Sequence, residues 1–178
     1  MFSGSMDMES LGQILGLLLS VVGFFIFYSK TRRGILTAKL ISDVGYLVQQ
    51  LMIGAVTGAL INIIAIFREI VFYKSVDKKW ASHRIWLYIF IVLMGAAPIL
   101  TWMGPVSLLP AIGSVVSVIA FYCREPQHTR IIGLAAMMPW FVYCTIIPNY
   151  GILLSMSIQL VAAVLGLIRD RKKPAAAK

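Results

Sequence analysis

Long apolar stretches separated by short polar breaks run the length of the chain, and the stretches are as long as membrane-crossing helices. A bilayer core takes roughly 20 apolar residues per helix, with a range of about 17–25. Seven such runs are predicted as helices: Leu11–Tyr28, Ile35–Ile53, Ala55–Tyr73, Ile85–Trp102, Val106–Cys123, Ile131–Ile147 and Tyr150–Ile168. Three of the breaks are minimal: Gly54, Met103-Gly104-Pro105 and Pro148-Asn149. Gly and Pro mark tight turns there, so the flanking helices are expected to form antiparallel hairpins. The opening Met1–Ser10 holds Asp7 and Glu9 but no Lys or Arg, and no small-residue cleavage pattern follows the first run. That run is therefore read as a true span rather than a signal peptide.

Composition narrows the class. Of 178 residues, 60% are apolar and 13% charged, where a soluble domain has about half and a quarter. A disordered tail, a disulfide scaffold and an ordinary soluble enzyme are excluded. The formal charge of +9 does not point to nucleic acid, because no soluble domain is left to carry a basic patch. Cys123 and Cys144 have no metal or redox spacing and read as small buried hydrophobes.

The basic residues sort themselves. Lys30, Arg32, Arg33 and Lys39 follow the first run or root the second; Arg68, Lys74, Lys78, Lys79 and Arg84 surround the break after the third. Arg124 and Arg130 follow the fifth, and Arg169, Arg171, Lys172, Lys173 and Lys178 follow the seventh. With seven spans, every Lys and Arg falls on one side, and the positive-inside rule puts the N-terminus outside and the C-terminus in the cytoplasm.

The chain also repeats itself. Ser20-Val21-Val22 through Phe27-Tyr28 and Ser114-Val115-Val116 through Phe121-Tyr122 lie 94 positions apart, and the same offset pairs Lys30 with Arg124, Gly45 with Pro139 and Tyr46 with Trp140. After a one-residue slip, Gly58 meets Gly151 and Asn62 meets Ser155. Spans one, two and three thus match five, six and seven. An odd linker span lets both units insert in the same orientation. The predicted fold is an all-α polytopic membrane protein in a 3+1+3 parallel-repeat arrangement. Its parts are an extracytoplasmic tail at 1–10, a first three-helix unit at 11–73, a cytoplasmic loop and linker helix at 74–105, a second unit at 106–168 and a basic cytoplasmic tail at 169–178.

This plan resembles the SWEET/PQ-loop superfamily and, within it, is most similar to the bacterial inner-membrane YgjV family. The resemblance implies an integral protein of the bacterial inner membrane and a solute site between the two units. SWEET relatives place an aromatic on the second helix of each unit and an Asn on the third; Tyr46 and Trp140 match the aromatics and Asn62 the first Asn, while Ser155 stands in place of the second. The family's Pro-Gln hinge pair is missing: Pro110 lies early in span five, its repeat position is Gly16, and neither precedes Gln.

Polar residues inside spans need a partner or a task. Asp43 and Arg68 lie at similar depths from the cytoplasmic side and are expected to meet, as a gate or, more simply, as a static ion pair fixing two helices. Glu69 is expected to be solvated or paired with Lys74. Helical spacing sets Asp43, Tyr46 and Gln50 on one face and Ser155 with Gln159 on another. Such a lining suits a neutral, hydroxyl-rich or heteroaromatic solute, while the same residues also serve as interhelical glue. Gly45 and Pro139 weaken their helices just before the two aromatics and are candidate hinges.

Catalysis is not expected. His83 and His128 lie in loops, there is no metal-ligand or nucleophile motif, and no phosphate loop; no cofactor is implied. The expected function is a uniporter for a small polar solute such as a sugar, nucleoside or vitamin, with Asn62, Tyr46, Trp140 and Ser155 touching the solute. Uniport is the default because Asp43 is read as the sole acidic residue deep in a span. The alternative is a non-transporting scaffold or receptor that binds lipid or a protein partner. The bilayer is the expected surrounding, and a homo-oligomer is compatible with either.

Overall fold

The computed structural model describes residues 8–102, 104–146 and 150–171, which form seven α-helices. They are α1 (Met8–Tyr28), α2 (Arg32–Met52), α3 (Val56–Lys74), α4 (Ile85–Leu100), α5 (Leu108–Tyr122), α6 (Pro126–Ile146) and α7 (Tyr150–Arg171). Each predicted run overlaps one of them. Three helices, α1, α2 and α6, start ahead of their apolar run. The Thr31 hydroxyl caps α2 by accepting the Gly34 N–H at 3.1 Å, and Pro126 opens α6, where a missing N–H costs no hydrogen bond.

The predicted breaks at Gly54 and Gly104 are turns with φ of +70° and +99°, a region that favours glycine. The third break, Pro148-Asn149, lies outside the described residues. Pro98 and Pro139 sit inside α4 and α6, which remain continuous around them.

Among the described residues five segments are long and apolar enough to cross a membrane: those of α1, α3, α6 and α7, and Pro105–Tyr122, where a 3-10 turn runs into α5. α4 is apolar but has 16 residues. α2 is long but carries Lys39, Asp43, Gln49 and Gln50 along its length. Its faces explain how it fits. Ser42, Asp43, Gln49 and Gln50 are buried against protein, while Ile41, Val44, Val48 and Leu51 are exposed at helical spacing. A surface helix in water presents the opposite pattern. Apolar out and polar in is the arrangement a lipid surrounding demands.

The helices close into a ring. α1 packs on α2 and α7, α7 on α6, α6 on α5, α5 on α4, and α3 on both α2 and α4. The α1–α7 seam is extensive, whereas α3 and α5 touch only slightly because α4 stands between them. Small residues permit the closest approaches. A Cβ on Gly23 of α1 would meet the Gln159 amide and Ser155 hydroxyl of α7 at 2.9 and 3.0 Å, and one on Gly58 of α3 would meet the Gln50 amide of α2 at 2.6 Å. Such contacts are how helices gain packing in lipid, where apolar burial against a neighbour offers little.

Candidate functional site

The ring encloses a cavity of about 150 Å³. One ordered water needs roughly 10–15 Å³ by this measure, so the space suits several waters or one small solute. At the end bearing the basic loops its wall is Phe27 and Phe121, whose ring centroids lie 6.5 Å apart. Toward the other end it reaches Gln50, Trp140 and Ile152. Lys39, Asp43 and Arg68 line it from α2 and α3, and Ser114 and Ser117 face them from α5.

The charges do not pair as the sequence suggested. Asp43 pairs with Lys39, one turn back on α2, and Arg68 pairs with its neighbour Glu69. The expected Asp43–Arg68 ion pair is therefore corrected, although both residues line the same cavity. Glu69 is corrected too: it is fully buried and held by Arg68, whose Nη2 and Nε both donate to Oε1 at 2.6 and 3.1 Å. Arg68 Nη1 donates to the Ser117 hydroxyl at 2.9 Å. Its guanidinium sits 5.1 Å from the Phe121 ring centroid, and Lys39 Nζ lies 5.7 Å from the same ring. Two cations and two carboxylates thus neutralise each other around one aromatic plate, as buried charge requires. Asp43 Oδ2 and Glu69 Oε2 keep no hydrogen-bond partner among the described residues.

Of the other predicted site residues, Asn62, Tyr46 and Trp140 line the cavity, as do Gln50 and Gln159. Ser155 stands behind the wall, fully buried, accepting hydrogen bonds from the Tyr46 hydroxyl and from Gln159 Nε2, the latter at 3.0 Å. Its hydroxyl thereby holds Tyr46 and Gln159 in place. Gly45 lies within an unbroken α2, and the Leu19 side chain of α1 fills the space where its Cβ would be. Pro139 precedes Trp140 within an equally continuous α6.

Sequence reasoning missed Lys39 and Glu69 as site residues, and it missed Phe27 and Phe121. The last two carried a signal: they end the repeated SVV…FY segment. It also placed Arg130 among loop charges. In fact Arg130 is fully buried on α6, donating to the carbonyls of Phe27 at 2.6 Å and Ser29 at 2.7 Å and pairing with Asp170 of α7. Arg169 donates to the Tyr28 carbonyl at 2.9 Å. The C-terminal end of α1, whose last carbonyls have no partner within the helix, is thus capped by two arginines from α6 and α7.

Among the described residues no group of His, Cys, Asp or Glu gathers to hold a metal. The profile of one protein family, Imp-YgjV, bacterial inner membrane protein, matches residues 10–174. The chain belongs to that family. As an Imp-YgjV protein it resides in the bacterial inner membrane, where the apolar outer face of α2 and the five long apolar segments meet lipid. No match was found among curated proteins or among solved structures.

Proposed function

We propose that this Imp-YgjV protein is a transporter for a small polar solute, of the size and hydrogen-bonding character of a sugar, nucleoside or vitamin, rather than an enzyme. The observation that carries the reading is a cavity inside the ring, its mostly apolar wall broken by Lys39, Asp43, Asn62 and Arg68, behind an outer face that is apolar. A scaffold has no need of such a space; a transporter needs one near the middle of the bilayer. Alternating access would come from α1–α3 rocking against α5–α7, with α4 as the link.

Support for two units comes from the cavity wall. Phe27 and Phe121, Lys39 and Gly133, Asp43 and Met137, and Tyr46 and Trp140 are each 94 positions apart, and all eight residues line it. This agreement favours the 3+1+3 plan and the SWEET/PQ-loop likeness. The concentration of basic residues at one end favours an outside N-terminus and a cytoplasmic C-terminus.

The ground for uniport is gone, because Glu69 is a second buried carboxylate beside the cavity. Lys39 and Asp43 lie close enough to Glu69 for their charges to act on it, so the site holds groups that proton coupling would use. The test is uptake into proteoliposomes from a panel of sugars, nucleosides, vitamins and amino acids, with and without a pH gradient. Uptake that is lost in Asn62→Ala/Trp140→Ala supports the site, and unchanged uptake in that variant overturns it. Uptake driven by the gradient and made insensitive to it by Glu69→Gln identifies coupling.

A further inference from the structure

A second concave region lies at the basic end, outside the ring's interior. The first turn of α2, the loop between α3 and α4, and the loop between α5 and α6 enclose a cleft of about 620 Å³. Arg32, Arg33, Lys78, Lys79 and Arg124 line it against one carboxylate, Asp77. The hydroxyls of Thr31, Ser75 and Ser82 share its walls.

Basic residues near a membrane surface are ordinarily spread over a solvated face, and three features here depart from that. Arg32 and Arg33 occupy the first turn of α2, beside the positive end of its dipole, where cations are disfavoured and anions favoured. Arg32 is partly buried, its Nη2 donating to Ser75 Oγ at 3.2 Å, while its Nε is shielded from solvent without an acceptor among the described residues. Burial, and after it the charge of Arg124, hold the Arg32 guanidinium below its ordinary pKa. Like charges from two loops and a helix start therefore converge on one concavity. The single acid answers only Arg33, through an exposed pair at 2.5 Å.

We propose that this cleft binds a phosphate-type oxyanion, with Arg32 and Arg124 as its principal donors. Guanidinium forks match phosphate oxygens two at a time, and hydroxyls in the wall complete the set. Two sources carry this chemistry: the headgroup of an anionic lipid, which a cleft at the membrane surface meets from the side, and a phosphate or phosphate ester free in the adjoining aqueous phase. The site is independent of the transport reading.

The test is thermal unfolding of the full chain under two additions. One is phosphatidylglycerol or cardiolipin in phosphatidylcholine nanodiscs, against phosphatidylcholine alone. The other is inorganic phosphate in neutral detergent, against chloride at equal ionic strength. A ligand bound only by the native state raises the melting temperature, here by roughly 2–4 °C or more at saturation. Stabilisation by the anionic lipids alone assigns the headgroup; stabilisation by phosphate in detergent assigns the soluble anion. Either must vanish in Arg32→Gln/Arg124→Gln and persist in Lys30→Gln/Lys74→Gln/Arg84→Gln, which removes more charge from outside the cleft. Arg32→Lys/Arg124→Lys, which keeps the charge and loses the forks, should retain part of the shift and guards against a folding defect in the Gln variant. No shift with either addition overturns the site, as does an equal loss in the cleft and control variants, which would leave only diffuse attraction.

Discussion

Arg68 and Arg130 are, among the described residues, the two largest side chains that the fold buries completely, and the fold treats them in opposite ways. Arg130 spends its donors on rigid acceptors: two main-chain carbonyls at the end of α1 and the Asp170 carboxylate. It ties α1 to α6 and α7, and a Cβ on Gly166 would meet its Nε at 2.6 Å, so even the facing helix leaves it no room. Arg68 is neutralised by a side chain beside it on the same helix, donates once to a hydroxyl, and lines the cavity. One arginine is a fastening between helices. The other is a charge kept beside the cavity, with side chains as its partners.

The sharpest test of this contrast is stability. Arg130→Met strands two carbonyls and leaves the Asp170 carboxylate with Arg169 alone, and about 3–5 kcal/mol should be lost, measured by thermal unfolding in detergent. Arg68→Met should cost less, about 1–3 kcal/mol, because Glu69 can take up a proton instead of remaining an unpaired charge. Equal losses would erase the distinction. A second comparison separates stability from function: Arg68→Met/Glu69→Gln removes both partners, so it should unfold at a higher temperature than Arg68→Met alone while failing in solute uptake. A double variant clearly less stable than the single would show that Glu69 is not the charge that Arg68 answers.

Much of the contrast was invisible in the sequence, for physical reasons. Helix length is set by bilayer thickness, so seven runs and two of their turns could be read directly. Tyr46, Asn62 and Trp140 could be placed on an inward face because polar and aromatic residues within a span have few other places to go. Ion-pair partners are another matter. Arg68 and Glu69 are consecutive, and neighbours on a helix point about 100° apart, so their pairing depends on how the long arginine side chain folds back. Arg130 lies a single turn inside α6, where nothing in composition distinguishes a solvated loop cation from one that caps a different helix.

Smaller effects refine the picture around the cavity. Tyr46→Phe and Ser155→Ala should each cost about 1 kcal/mol, and together less than the two combined, since each removes the same hydrogen bond. Additive losses would mean that Ser155 stabilises Gln159 rather than Tyr46. The smallest change is expected at Arg33→Gln, whose pair with Asp77 is half-exposed on both sides. A surface pair of this kind contributes about 0–1 kcal/mol, so its melting temperature should scarcely move.

The two-faced α2 bears on how the protein is made. Lys or Asp near a helix centre disfavours insertion by about 2.5–3.5 kcal/mol each, and α2 carries both. Presented alone to the insertion machinery, α2 is a poor candidate for the bilayer; only its neighbours supply the shelter its inner face requires. The turn to α3 at Ile53–Ala55 is short, and α3 is apolar enough to enter unaided. Membrane entry of these two helices is therefore expected as one event, with α3 drawing its hairpin partner in. A nascent chain halted after Met52 should leave α2 outside the bilayer, and one extended through Lys74 should integrate it, which glycosylation mapping or protease protection would reveal.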